Sequence, residues 1–285
     1  MSVVYSCVVE PNSKYLNQLA IWITTLLELG NVRSSDLFVH VVEGERSSEA
    51  LGFVSERGIA CAIVDRFGDG TLCNKLRQLR TPELRASRYA VLCDTDVAFC
   101  APIDEWIGTA RIAAKTVDHP NPPLHLLQEL YRRAGFTRLP ATTRCTHSTE
   151  PTFVNNCNGG MYVLETDLFD ELAPRWEKWV LWCLEQGPLL EGCFAPADQI
   201  AFGLATWELD LPIKPLPVAA NCPTHLPVVS SDGPPDPPAV LHYHDRIGAD
   251  GLLLGAGVPV VDDRIRLVNE TLSAKRQRSF DLRPF

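Results

Sequence analysis

A chain of 285 residues, 46% hydrophobic and 21% charged, has the make-up of an ordinary globular protein and enough apolar side chains to bury a large core. Its net charge of −9 argues against non-specific nucleic-acid binding, which depends on a basic surface, and a phosphate-bearing ligand would need a cation as escort. The opening MSVVYSCVVEPNSKYLNQ lacks a signal peptide's basic region and cleavage site, and no run nears the roughly 18 apolar residues of a membrane span, so a cytoplasmic protein is expected. Ten cysteines include no C-x-x-C pair, and Cys7, Cys61, Cys93, Cys100 and Cys183 lie in apolar runs, which reads as small buried hydrophobes rather than zinc ligands or disulfides.

Ser2 to Val9 is rich in β-formers and ends at Glu10-Pro11-Asn12, after which Tyr15 to Leu29 carries apolar residues at helical spacing up to Gly30-Asn31. Leu37 to Val42 reads as a second strand, Ser47 to Arg57 as a helix stopped by Gly58, and Ile59 to Val64 as a third strand. A helix over 72–84 leads into a fourth strand, Tyr89 to Cys93. Strands alternating with helices predict an α/β fold with a mainly parallel sheet and right-handed crossovers. Beyond a strand at Arg111 to Val117, the segment Asp118 to Pro151 holds one helical stretch, Leu124 to Ala134, and a polar run, an irregularity that suggests a lid or mobile segment. Ser230 to Pro238, SSDGPPDPP, reads as a solvated loop.

Asp94 and Asp96 follow the fourth strand directly, at the carboxyl end where open α/β sheets bind ligands. Carboxylates at that spacing suit a hard divalent cation, Mn²⁺ or Mg²⁺, shared with substrate phosphates. Bracketing by Leu92, Cys93, Val97 and Phe99 favours this reading over a solvated turn. The end of the first strand is expected beside them, which makes Val9, Glu10, Asn12 and Tyr15 candidates for a nucleotide's base and ribose. His242 and His244 sit in VLHYH, where strand alternation would put both on one face, and a neutral imidazole is a fitting third ligand. Asn158-Gly159-Gly160 permits close backbone approach or a tight turn. Asp198 follows Pro196, where a capping residue of a helix is expected. Lys75 is either a phosphate contact or a solvated helix residue.

Four segments in order resemble the GT-A nucleotide-sugar glycosyltransferases, most closely the family 8 enzymes and their relatives. They are Asn74-Lys75-Leu76, LCDTDVAFCAPI, FVNNCNGGMYVLETDLF with the later ADQIAFGLA, and VLHYHDRIG, laid out over roughly residues 5–248. The resemblance implies one GT-A domain over 1–285, with residues 1–100 as nucleotide-binding half and 101–270 as sugar and acceptor half. It implies a nucleotide-sugar donor, a UDP-sugar with retention of configuration favoured, and an acceptor that is not specified. Asp94, Thr95, Asp96, Lys75, Asn158, Gly159 and Gly160 would meet the donor, Asp96, Asp94 and His242 (or His244) the metal, and Asp198 and Gln199 the reacting sugar. The family's late lysine is missing: Gly248 stands at that distance, and Arg246 is taken as its substitute. The tail, residues 271–285, mixes cations with Phe280, Leu282 and Phe285, a pattern for peripheral membrane contact or a solvated terminus.

Three alternatives compete. A haloacid-dehalogenase-type phosphatase also uses D-x-D after a strand, but there the motif usually opens the fold. A sugar nucleotidyltransferase should carry a glycine-rich basic loop after its first strand, and Glu10 to Lys14 has no glycine. An inactive GT-A scaffold that only binds a nucleotide-sugar or a protein partner remains open, since fold does not fix function.

Overall fold

The computed structural model describes residues 1–191, 196–226 and 236–278. Its first third follows the expected alternation. β1 (Val3–Val9), β2 (Leu37–Val42), β3 (Ala60–Val64) and β4 (Tyr89–Cys93) are linked by α1 (Ser13–Glu28), α2 (Ser47–Ser55) and two 3₁₀ segments, Leu72–Arg80 and Pro82–Ala86. The single α-helix expected over 72–84 is therefore replaced by two tighter pieces. Pro82 lacks an N–H and drives the residue before it out of helical space, and Thr81 indeed sits at ψ 115°.

The chain continues through β5 (Val97–Phe99), β6 (Ile112–Thr116), α3 (Leu124–Arg133), the hairpin β7 (Thr142–Arg144) and β8 (Pro151–Phe153), and β9 (Cys157–Glu165). Then come α4 (Phe169–Glu185), the short α5 (Gly187–Leu190), α6 (Ala197–Glu208), β10 (Lys214–Pro215), β11 (Cys222–Pro223), β12 (Val240–His242) and α7 (Pro259–Arg278). The main sheet has the order β10-β6-β9-β4-β1-β2-β3. β4, β1, β2 and β3 run parallel, β9 is antiparallel to both β4 and β6, and β10 is parallel to β6. A small sheet, β11-β12-β5, lies beside it.

β2 and β4 are buried along their whole length, as continuous apolar runs require when helices cover both faces of a sheet. Alternate residues divide between two cores. Val4, Phe38, Ala90 and Leu92 join Trp176 and Phe202 of α4 and α6, while Cys7, Val9, Val39 and Val91 join Leu19 and Trp22 of α1. A third cluster packs α7 onto β5 and β12 through Val268, Leu241 and Ala98. α7 has no counterpart among the sequence expectations. It carries the start of the basic tail, where Lys275 pairs with Glu28 at 2.6 Å. The rest of the tail, with the membrane contact assigned to it, and most of the 230–238 loop lie outside the described residues.

Segment 118–151 is built rather than irregular. Leu127, Leu130 and Tyr131 of α3 enter the first core, and the N–H groups of Thr146 and His147 donate to the carbonyls of Val117 and Asp118. The nine described cysteines are all free. No helix among the described residues is long and apolar enough to cross a membrane.

Candidate active site

β1 and β4 end side by side, with Cys7 opposite Cys93, so the D-T-D segment emerges at the carboxyl edge of the sheet. Two backbone bonds pin it: the Asp94 N–H donates to the Gly160 carbonyl at 3.0 Å, and the Tyr243 N–H donates to the Asp96 carbonyl at 3.0 Å. The two carboxylates then part. Asp94 Oδ1 lies 2.8 Å from Lys75 Nζ, whereas Asp96 faces the histidines after β12.

Lys75 is no solvated helix residue. It is 7% exposed, and its Nζ also reaches Asp198 Oδ2 at 3.1 Å and donates to the Gly159 carbonyl at 3.0 Å. Burial alone would discharge it, but the charges of Asp94 and Asp198 outweigh burial and hold the ammonium well above the ordinary lysine value. Asp198, 1% exposed, does not cap α6: the cap position is Pro196, with no side-chain hydrogen bond. Its carboxylate spans to Lys75 instead, favoured also by its place in the first turn of a helix.

His242 Nε2 stands 3.3 Å from Asp96 Oδ1, and His244 Nδ1 stands 3.7 Å from Asp96 Oδ2. The expected alternation holds only for His242, because β12 ends there. His244 takes a left-handed backbone, φ 50°, which folds its ring back to stack on His242 at 3.9 Å between centroids. Burial opposes protonation of His242, yet Asp96, by charge and hydrogen bond, keeps the ring above its ordinary value. Burial and then the charge of His242 push His244 down to about 3, and His242 carries Asp96 down to about 2 despite burial.

Asp96, His242 and His244 bring their ligand atoms within 4.8 Å of one another. Asp96 Oδ1 is buried, and its neighbour among the described residues is His242 Nε2 at 3.3 Å, so a cation could take the place of the proton between them. A carboxylate and two imidazoles suit a divalent transition ion such as Mn²⁺ and less well Mg²⁺, which prefers all-oxygen surroundings. Asp94 is not part of this group of three, and its Oδ1 pairs with Lys75 at 2.8 Å.

Gly159 and Gly160 lie within β9, not in a tight turn. A Cβ on Gly159 would sit 2.7 Å from Lys75 Nζ, and one on Gly160 would sit 2.6 Å from two atoms of the His242 ring. Their bareness lets the lysine and the histidine approach the strand. Asn158 accepts from the Gly160 N–H at 2.9 Å and donates to Asp118 at 3.1 Å. Gln199 packs its side chain over Gly159.

A cleft of about 220 Å³ opens beside this cluster, lined by Val8, Glu10, Lys14 and Tyr15 on the β1 side and by Asn74, Lys75, Asp94, Thr95, Asp96 and His244 on the other. Val9 and Asn12 are not part of it. Val9 points into the α1 core, so its neighbour Val8 lines the cleft, and Asn12 spends its carboxamide oxygen on the Tyr15 N–H as the cap of α1. Arg246 is also displaced, donating from Nη2 to the Gly255 carbonyl at 2.5 Å. Lys14 occupies the cleft in its stead, 2.6 Å from Asp245. Four carboxylates, Glu10, Asp94, Asp96 and Asp245, line the cleft against two ammonium groups, so an anionic ligand requires added positive charge.

Two groups escaped the sequence reading. Gln18, midway along α1, accepts from Thr95 Oγ1 at 2.9 Å and donates to the His244 carbonyl at 3.3 Å, tying helix to site. Asp118, at the end of β6, takes Lys115, His147 Nδ1 at 2.8 Å and Thr146 Oγ1 at 2.7 Å. The signal available for it was a lysine inside the apolar strand IAAKT, re-aimed by a bulge between Ala114 and Thr116.

Compared as a sequence, the chain matches no protein-family model and no curated protein. Compared as a structure, it is similar to galactosyltransferase LgtC in complex with donor and acceptor sugar analogues, at TM-score 0.53 and 11% identity over 95% of this chain and 95% of that one. An active-site mutant of LgtC matches at TM-score 0.55 and 11% identity, covering 94% and 95%. Mouse xyloside xylosyltransferase 1 aligns with 85% of this chain and 97% of its own at 14% identity, with a TM-score of 0.49 on which no argument rests. At such identities the likeness concerns architecture. The chain has the α/β fold of the GT-A glycosyltransferases.

Proposed function

We propose that the protein is a metal-dependent glycosyltransferase of the family 8 type, which transfers a sugar from a nucleoside-diphosphate donor, a UDP-sugar by resemblance, to an acceptor hydroxyl. The observation that carries this reading is the Asp96 carboxylate facing His242 and His244 at the mouth of a cleft between β1 and β4. Asp96, His242 and His244 would hold Mn²⁺ or Mg²⁺, and such an ion would supply the positive charge on which a departing diphosphate leaves.

The chain's own residues supply the rest. Residues 1–100 form the donor half: Glu10, its carboxylate oriented by Asn74 Nδ2 at 2.5 Å and Arg66 at 2.7 Å, accepts from a base edge, and Tyr15 flanks it. Lys14, not Arg246, faces the phosphates. Residues 101–270 form the sugar and acceptor half. Asp198 is an unsuitable general base for inversion, because it is buried and bound to Lys75, and this favours retention of configuration. Its role with Lys75 and Gln199 is to fix the floor on which the sugar rests.

The same ion pair weighs against a phosphatase, whose nucleophilic aspartate would have to be Asp94, held here by Lys75. Calorimetry of UDP, GDP and ADP, each with Mn²⁺ and with chelator, tests the reading. Metal-dependent binding of one diphosphate, UDP above all, is expected. Absence of binding by the folded protein would sink it in favour of the inactive scaffold.

A further inference from the structure

His242 is useful to a metal only if the nitrogen facing Asp96 offers a lone pair, and a neutral imidazole has one protonated and one free nitrogen. Which nitrogen carries the proton is decided by the partner of the other. In this protein that partner belongs to a chain of buried polar groups running away from the cleft. His242 Nδ1 lies 3.1 Å from Asn221 Oδ1, Asn221 Nδ2 lies 3.0 Å from Asn158 Oδ1, and Asn158 Nδ2 lies 3.1 Å from Asp118 Oδ2. Beyond Asp118 stand Lys115, Thr146 and His147, with Lys115 and Asn221 completely buried.

The direction of every bond in this chain follows from chemistry rather than from the placement of amide atoms. Held among Lys115, Thr146 and His147, Asp118 is a carboxylate and can only accept, so Asn158 must turn its NH₂ toward it. The Gly160 N–H, which can only donate, meets the other end of Asn158 at 2.9 Å and confirms that this end is the oxygen. An oxygen there obliges Asn221 to present its NH₂ to Asn158 and hence its own oxygen to His242. Facing an oxygen, His242 Nδ1 carries a proton, while Asp96 Oδ1 draws a proton to Nε2 as long as no cation lies between them. A cation that displaces the Nε2 proton then meets a free nitrogen in a ring whose Nδ1–H is already held.

We propose that Asp118, Asn158 and Asn221 are positioning residues that set the tautomer of His242 from a distance, leaving its Nε2 free for a divalent cation. The idea rests on the metal reading, because only a cation at Nε2 takes the place of the proton that Asp96 draws there. Gly160 serves the same end sterically, since the ring lies against its bare Cα. The anchor has a reason to be a buried ion pair: only a fixed charge of known sign gives an amide chain a direction, and burial keeps water from offering an alternative partner.

Two measurements on the purified full chain test this. Long-range ¹⁵N–¹H NMR of His242 with a saturating diamagnetic cation, Zn²⁺ or Mg²⁺, should show the Nδ1–H form in the wild type. Mn²⁺ alone, titrated by electron paramagnetic resonance, gives the affinity. Asn221→Leu should mix or reverse the tautomer and weaken Mn²⁺ by about 10- to 100-fold, the usual effect of removing such a partner. Asn221→Asp keeps an acceptor at His242 and should hold the Nδ1–H signature, although its second oxygen then faces Asn158 Oδ1. Asn221→Ala replaces the leucine variant if that does not fold. An Asn221→Leu protein with the wild-type tautomer and affinity would overturn the proposal, as would an Asn221→Asp protein that loses the Nδ1–H signature. If wild type binds neither Mn²⁺ nor the diamagnetic cation, the metal reading fails and the proposal with it, whereas wild-type binding that the leucine variant leaves unchanged overturns the proposal alone.

Discussion

Replacing Lys75 by methionine should be among the most damaging single changes near the cleft. The side chain is nearly isosteric, so the effect is one of charge. Lys75 Nζ makes ion pairs at 2.8 Å with Asp94 and 3.1 Å with Asp198. At an effective dielectric constant near 20 these pairs are worth about 6 and about 5 kcal/mol before desolvation. Desolvation of three groups cancels most of that sum, and the measurable quantity is what the survivors suffer. Asp94, with 30% of its side chain exposed, recovers much of its hydration. Asp198, at 1%, is left as a buried carboxylate without a cation, a situation that typically costs about 3–5 kcal/mol. Such a loss is a large share of the roughly 5–15 kcal/mol that stabilises a native protein. Urea unfolding of Lys75→Met at neutral pH measures it, and the double variant Lys75→Met/Asp198→Asn should recover at least half. Because the two acids hold Lys75 above its ordinary value, its contribution is fully present below about pH 10.4 and lost only as pH rises through the folded value. A loss under about 1 kcal/mol, or a double variant no better than the single, would refute the view that Lys75 exists to compensate Asp198.

Five further outcomes follow from the same geometry. Asp96→Asn should reduce Mn²⁺ affinity by about 100-fold or more, and Asp94→Asn much less, because only Asp96 faces the histidines; equal losses by spin-resonance titration would return Asp94 to the ligand set. Mn²⁺ must displace the proton that Asp96 favours on His242, so affinity should fall by about tenfold per unit as pH drops below that raised value, whereas His244, held at about 3, should contribute nothing at neutral pH. The metal-free protein should show the opposite trend: the Asp96–His242 ion pair is fully formed below about pH 6.5 and its stabilisation fades as pH rises through the raised folded value, visible as a falling melting temperature. Gly160→Ala should lower stability by about 1–3 kcal/mol and impair Mn²⁺ binding, since the ring of His242 cannot yield, while Gly159→Ala meets the mobile end of a lysine and should be milder; a reversed order in thermal unfolding contradicts the packing argument. Lys14→Ala should weaken UDP severalfold more than uridine in calorimetry, and equal losses would remove Lys14 from the phosphates.

The local features of this protein could be seen in its residues because they depend on neighbours in the chain. Period-2 and period-3.6 patterns and the breakers Pro11, Gly30 and Gly58 placed β1 to β4 and α1 within a residue or two of their observed bounds. The D-T-D segment fell at the end of β4 as its bracketing apolar residues required, and a helix followed Pro196 as read. The antiparallel insertion of β9 between β4 and β6 gave no local signal, since a strand's pattern does not state its neighbour or direction.

What the sequence determined alone was which residue types stand at the carboxyl edge of the sheet; what they do to one another was decided by tertiary contact. Asp94 and Asp96 look equivalent in the sequence, and only the approach of Lys75 from the 3₁₀ segment and of His242 from β12 makes one a salt-bridge partner and the other an open ligand. Val8 replaces Val9 in the cleft because the pleat turns successive side chains to opposite faces, and the covering helix, not the residue type, chooses the face. Gln18, Asp118 and Asn221 belong to the site through hydrogen bonds spanning 77, 40 and 21 residues respectively. Charge and hydrogen bonding act over a few ångströms of space, so groups far apart in the chain acquire their chemistry only when the fold brings them within that reach.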